Sequence, residues 1–198
     1  MRFSEIEKQH LLKAWLALSF AFAVLNSSVF NPSFFLYFIM SMLTVGMGFL
    51  LHEIAHKYVA QKYGCWAEFR ADDRMLLFTV ISAFLGFIFA APGAVWIHGH
   101  ITKERNGKIS LAGPLTNIVL SIIFLFLAVY FTFSSLLTTT FLYGYTINGF
   151  LALFNMLPFM NLDGKKILNW NKAVYIITVI IAAFLVIVPL DRIIINFF

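Results

Sequence analysis

His52 and His56 are the residues whose types and spacing most clearly predict chemistry in this sequence. They frame the pattern HExxH, with Glu53 directly after the first histidine. Residues four apart lie on one face of an α-helix, so both imidazoles can bind one metal ion while Glu53 lies beside them. A neutral imidazole is a good zinc ligand, and two on one helical turn provide half of a tetrahedral site. The alternative is that these polar residues only mark the place where a helix reaches water.

A catalytic zinc ion needs a third protein ligand, and Asp163 is the candidate. It follows Pro158, which disrupts a helix, and precedes Gly164, which permits a sharp turn. That geometry could direct the carboxylate back toward an apolar region, although a lone Asp-Gly pair also commonly caps a turn. We therefore predict a Zn²⁺ site formed by His52, His56 and Asp163.

The composition predicts that this site lies in a membrane protein. Of the 198 residues, 61% are hydrophobic and 12% are charged, a balance too apolar for one soluble core. Five runs with almost no charge each approach the roughly 20 residues of a spanning helix. They lie near residues 11–30, 34–51, 110–133, 141–160 and 173–190. We therefore predict an all-α polytopic membrane protein with about five spanning helices.

The distribution of charge predicts the orientation in the membrane. If residues 76–97 return to the side from which they enter, the amino terminus and residues 57–109 and 164–172 share one side. All of the 14 Lys and Arg residues except Arg192 then lie on that side, which the positive-inside rule identifies as the cytoplasm. We predict a multi-pass protein of the cell membrane with its active site near the cytoplasmic side. The net charge of +5 then reflects topology, and no nucleic-acid partner is expected.

Residues 76–97 are harder to classify from their pattern. Gly86 lies inside the segment, and Pro92 and Gly93 precede a β-prone stretch at residues 94–97. These breaks favour a membrane-dipping segment with a possible short β element, whereas length alone also permits a sixth helix. Non-helical backbone in a membrane must be buried in protein or face a water-filled cavity, so a dip would require such a cavity.

Three blocks of the sequence resemble the site-2 protease family of intramembrane zinc metalloproteases. They are residues 52–56, residues 107–117 (GKISLAGPLTN) and residues 155–164 (NMLPFMNLDG). The resemblance implies a single membrane-embedded metalloprotease domain over residues 1–198, in a compact form without PDZ or CBS domains. Within it, a three-helix catalytic core would cover about residues 34–170.

The resemblance also implies roles for individual residues. The two histidines and the aspartate named above would hold zinc, with Glu53 as the catalytic base. Asn155 would bind substrate, and Asn117 is a further candidate for that role. The partners would be a transmembrane protein substrate, cut in or near its spanning segment as in regulated intramembrane proteolysis, and the lipid bilayer. An extended substrate could add as a strand at residues 94–97.

Two functions of other classes remain open. A divalent metal transporter would also place His and Asp in helices, but its ligands should follow a path through the bilayer in repeated halves, and no repeat is visible. A catalytically silent membrane scaffold would fold in the same way without needing Glu53 beside both histidines. His98 and His100 could form a second metal site, although histidines close to a membrane surface are more commonly solvated.

Overall fold

Helices joined by one small sheet form the computed structural model of this chain, which describes residues 1–88, 92–131 and 134–187. The helices are α1 (Glu5–Asn26), α2 (Phe34–Lys62), α3 (Asp73–Phe84), α4 (Lys103–Tyr130), α5 (Ser135–Asn155), α6 (Asp163–Trp170) and α7 (Lys172–Ile187). The strands are β1 (Trp66–Ala71) and β2 (Gly93–His98).

Helix α2 carries the HExxH pattern and contains a π-helical turn at Met42–Gly46. The indole Nε1 of Trp15 in α1 donates a hydrogen bond of 3.1 Å to the carbonyl oxygen of Met42 in this turn. Gly46 lies against the same indole, where a Cβ atom would be 2.5 Å from its Cδ1 atom. The π-helical turn therefore packs closely against α1. Helix α2 then continues to His52 and His56.

The two strands pair antiparallel, from Trp66 opposite His98 to Ala71 opposite Gly93. Helix α1 covers the other edge of β1 with polar side chains. The Phe69 N–H donates to Glu7 Oε1 at 2.9 Å, and the Ala71 N–H donates to His10 Nδ1 at 3.1 Å. These bonds satisfy backbone donors that would otherwise lie unpaired at a sheet edge.

A buried ion pair joins α1 to the metal-ligand helix. The Lys57 ammonium contacts the Glu7 carboxylate, and the side chains are 1% and 0% exposed. Lys57 also lies 4.2 Å from the ring centroid of Phe3. Glu7 thus binds both α2 and β1, which places these elements relative to each other.

Helix α4 packs against α2, α5 and α6 and forms the centre of the helical assembly. Glycines permit the close contacts. Gly107 of α4 lies against the Trp170 side chain of α6, and Gly144 of α5 lies against the Phe124 ring of α4. Small residues allow helices to approach closely where larger ones would separate them.

The prediction of an all-α protein with about five spanning helices, plus a dip or a sixth helix, is wrong. In the described ranges, Phe34–Lys62 and Lys103–Tyr130 are the two helices long and apolar enough to cross a membrane. The β1–β2 sheet also corrects the all-α class.

The other helices fail this test for different physical reasons. Helix α1 carries charges in its first half, α5 is interrupted by threonine, tyrosine and asparagine side chains, and α7 has 16 residues, fewer than the roughly 20 that a span requires. Residues 188–190 of the last apolar run, and Arg192, lie outside the described residues.

Residues 76–97 do not form a sixth helix. Helix α3 has 12 residues and ends at Phe84, and strand β2 begins at Gly93; residues 89–91 between them lie outside the described ranges. The predicted β element at residues 94–97 is confirmed within β2.

Candidate metal centre

The two histidines of HExxH and Asp163 meet at one buried point. His52 Nε2 and His56 Nε2 are 3.0 Å apart. Asp163 Oδ2 lies 3.3 Å from the first of these atoms and 3.1 Å from the second. All three side chains are less than 10% exposed. The structure thus brings together the three residues that the sequence proposes as metal ligands.

Local structure places each ligand. The histidines are one turn apart on α2, and Asp163 is the first residue of α6, after Leu162 in an extended conformation. Gly164 lies against the chain that precedes α6, where a Cβ atom would be only 2.8 Å from the Met156 Cα atom. Gly164 is needed for this close approach, which brings the aspartate to the histidines.

Each imidazole is oriented by a hydrogen bond from its other nitrogen. His56 Nδ1 lies 2.8 Å from the carbonyl oxygen of Ile109, and His52 Nδ1 lies 2.6 Å from Asn117 Oδ1. These oxygens only accept hydrogen bonds, so the Nδ1 atoms carry the protons. The Nε2 lone pairs of both rings are therefore directed at the shared point. Hydrogen bonds of this kind orient histidine ligands in metal sites.

Asp163 is also held at both carboxylate oxygens. While Oδ2 faces the imidazoles, Oδ1 lies 3.7 Å from Lys166 Nζ. Oδ2 faces the same point as the two Nε2 atoms, and a carboxylate binds a metal ion in its ionised form.

This arrangement fits zinc. Ligand bonds of about 2.0–2.1 Å in a tetrahedral site separate the ligand atoms by roughly 3.3–3.4 Å, close to the three distances in the structure. Two imidazoles and one carboxylate are typical of catalytic zinc, which keeps its fourth position open. Within the described residues, the three ligands form the one group of His, Cys, Asp and Glu side chains that could hold a metal ion.

His98 and His100 are not part of any such group in the described ranges. The His98 ring instead packs beside Trp66, with 5.1 Å between ring centroids. The structure therefore gives no support to a second metal site at these histidines.

The remaining predicted site residues occupy different surroundings. Glu53 is half-buried on α2 and interacts electrostatically with the three ligands and with Lys166. Asn155 is half-buried at the end of α5, where its Nδ2 donates to the Leu151 carbonyl oxygen at 3.0 Å. Asn117 is fully buried beneath His52. The structure thus brings Glu53 and Asn117 to the metal centre and gives Asn155 a bond within its own helix.

Gly113 is a site residue for which the sequence predicts no role. A Cβ atom at this position would lie 2.5 Å from both His52 Cε1 and His56 Nε2. Any larger residue would displace the metal-binding rings. Its place in the sequence AGPLTN, shortly before Asn117, is the only signal that pointed to it.

Similar proteins are named as zinc metalloproteases. The chain is 44% identical over 178 residues to "Putative zinc metalloprotease MJ0611" of Methanocaldococcus jannaschii, an alignment that covers 89% of this chain and 90% of that protein. It is 30% identical over 159 residues to "Putative zinc metalloprotease YwhC" of Bacillus subtilis, covering 68% of this chain and 72% of that protein.

A second protein of Methanocaldococcus jannaschii, "Zinc metalloprotease MJ0392", is 29% identical over 154 residues. This alignment covers 76% of the chain and 39% of that protein. No family model and no solved structure gives a significant match.

Proposed function

This chain belongs to the zinc metalloprotease family, and we propose that it is an intramembrane protease of the site-2 type, which cuts transmembrane protein substrates. One observation carries the proposal. The three ligand atoms converge beside Glu53 on α2, and α2 is itself long and apolar enough to cross a membrane. Ionisable residues in such a helix are costly, and their default explanation is function.

The residues of the centre divide the chemistry between them. His52, His56 and Asp163 hold zinc, which when bound lowers the pKa of a water molecule to about 7 and polarises a peptide carbonyl. Glu53 takes a proton from the water and later donates one to the leaving amine. Asn117 fixes the ring of His52, so we assign it to the metal centre and not to direct contact with substrate.

The charges at the helix ends support an orientation with the active site near the cytoplasm. The end of α2 that follows the histidines carries Lys57 and Lys62, and the beginning of α4 carries Lys103, Arg105 and Lys108. Helices α2 and α4 run antiparallel at the metal centre, where His52 contacts Asn117 and His56 contacts Ile109. The basic ends of both helices therefore lie on the side of the metal centre. The opposite halves of these helices carry no charge. We therefore propose a multi-pass protein of the cell membrane in which this side is cytoplasmic.

Substrate binding is proposed at the open edge of β2. The Asp72 N–H donates to the Pro92 carbonyl oxygen, whereas the Phe69 N–H points to α1. Val95 is the partner of Phe69 in the sheet, and hydrogen-bonding directions alternate along a strand. The backbone N–H and C=O groups of Val95 and Ile97 therefore point away from β1. An unwound substrate segment could pair with these groups and be held extended for cleavage.

The proposal is tested with wild-type protein and Glu53→Gln purified in detergent. Zinc is quantified, and each protein is incubated with single-span membrane proteins while new fragments are followed by mass spectrometry. We expect about one zinc per chain in both proteins and fragments only with the wild type. Absence of zinc from the wild type, or equal cleavage by both proteins, would contradict the proposal. Bound zinc without any cleavage by the wild type would favour the scaffold or the transporter.

A further inference from the structure

We propose that Asn148 is a positioning residue of the metal centre, which acts through Asn117 on His52. The residue lies on α5, a helix that supplies none of the three ligands. The inference rests on the zinc site of the proposed function and adds a residue to it that neither a motif nor direct contact with the ligands identifies.

The Asn148 side chain is fully buried and uses both ends of its amide. Its Nδ2 donates to the Gly144 carbonyl oxygen at 2.9 Å, and its Oδ1 accepts from Asn117 Nδ2 at 3.0 Å. Asn117 in turn accepts from His52 Nδ1 at 2.6 Å. A continuous chain of three hydrogen bonds therefore runs from the backbone of α5 to a metal ligand on α2.

The Gly144 carbonyl oxygen, at the α5 end of this series of hydrogen bonds, determines which group donates in each of them. The Gly144 carbonyl oxygen can only accept, so Asn148 must turn its NH₂ group toward it and its oxygen toward Asn117. Asn117 must then present its NH₂ group to Asn148 and its oxygen to His52. The proton of His52 is consequently held on Nδ1, which leaves the Nε2 lone pair for the metal.

The orientation of Asn117 has a second determinant, the carbonyl oxygen of Gly48, which accepts from the same Nδ2 at 3.2 Å. Loss of Asn148 therefore weakens the arrangement without abolishing it. Gly48 also makes room for Asn148, because a Cβ atom there would lie 3.1 Å from Asn148 Cγ. The chain of bonds thus joins α2, α4 and α5 directly beneath the metal centre.

The test measures zinc affinity by chelator competition and thermal unfolding of the full-length protein in detergent. Asn148→Leu removes the acceptor for Asn117 but keeps the branching of the side chain, and we expect zinc affinity to fall about tenfold, the lower end for outer hydrogen-bond partners. Burial favours the protonated form of the carboxyl in Asn148→Asp, which can donate to the Gly144 carbonyl oxygen and accept from Asn117, so its zinc affinity should remain close to the wild-type value.

Ser121→Ala is the matched control. Ser121 is fully buried on α4, and its hydroxyl donates to the Tyr145 carbonyl oxygen of α5 at 2.8 Å. The Ser121→Ala substitution therefore removes a buried hydrogen bond between α4 and α5 but leaves the hydrogen bonds from Gly144 to His52 intact. We expect its zinc affinity to be unchanged. An equal loss in Ser121→Ala and Asn148→Leu would overturn the inference, because general loosening of the helix contact would then explain both.

A double substitution separates positioning from packing. In an Asn117→Ala background the chain of bonds is already broken, so adding Asn148→Leu should not weaken zinc binding further. A further loss of similar size would show that Asn148 acts independently of Asn117. If the wild type holds no zinc, the proposed function fails as well. If the wild type holds zinc and Asn148→Leu binds it equally, only this inference fails.

Discussion

Single residues around the metal centre are held by partners whose hydrogen-bonding roles are fixed. A backbone carbonyl orients His56, an amide orients His52, and a lysine lies beside the oxygen of Asp163 that faces away from the histidines. Because these partners come from α4 and α6 whereas the histidines are on α2, the centre forms only when the three helices are packed. The affinity for zinc should therefore be sensitive to residues that never touch the metal.

Gly113→Ala tests this sensitivity most directly. The added methyl group would lie 2.5 Å from His52 Cε1 and His56 Nε2, so the rings must move apart or α4 must shift. We expect zinc affinity to fall by about 10- to 100-fold or more, measured by chelator competition. Gly149→Ala is the control, since its methyl group would meet Leu185 Cβ and Ser121 Oγ at 3.4 Å. Equal zinc affinity in wild type and Gly113→Ala would show that the rings are not confined by α4.

The ligands could be proposed from sequence because their signals are local. HExxH depends only on helical spacing, and the Pro158 and Gly164 positions flag the turn before and after Asp163. Gly113 and Asn148 carry no comparable signal, because their importance depends on which helix they face. Asn148 lies in a run that hydropathy treats as a spanning segment, although its side chain belongs to a buried network.

Among the elements, the small sheet has two unlike edges. Glu7 and His10 occupy the outer edge of β1, so among the described residues the edge of β2 is the one left for a further strand.

We expect Val95→Pro to impair substrate binding at the edge of β2 and to leave the fold intact. Its N–H faces away from β1, so proline should remove a donor to the substrate but no bond of the existing ladder. We expect a raised KM for cleavage, with zinc content and thermal stability close to the Val95→Ala control, which loses side-chain packing but keeps the N–H. Unchanged cleavage by Val95→Pro would exclude the open edge as the binding place.

The β element at residues 94–97 could be predicted because Pro92 and Gly93 mark its beginning and its residues favour strands. The number of spanning helices could not. Apolar runs do not reveal where charged first turns or buried polar residues interrupt a helix. Helix α1 has acidic residues in its first turn, and α5 has buried polar residues along its length.

For the whole molecule, the antiparallel pairing of α2 and α4 places the basic ends of both helices at the side of the metal centre. A protein with this arrangement should present that side to the cytoplasm. The loop before α2, which contains the 95% exposed Phe30, should then lie on the opposite side.

Single cysteines can test this orientation in a Cys65→Ser background, since Cys65 is the one cysteine of the chain. Lys62→Cys and Lys103→Cys should react with a membrane-impermeant maleimide only from the cytoplasmic face of sealed vesicles. Phe30→Cys should react only from the other face. Labelling of all three positions from one face would contradict a crossing by α2, and the activity of each variant would show that it is folded.

The contact of Glu7 with both Lys57 and Phe69 has a consequence for how the chain is built. Its partners lie 50 and 62 residues further along, so during synthesis the Glu7 carboxylate stays hydrated until the strand has emerged. Only then can the first helix close over the sheet and fix the base of α2. The N-terminal helix is thus the first part of the protein to be made, but it can reach its final position only after Lys57 and Phe69 have followed it.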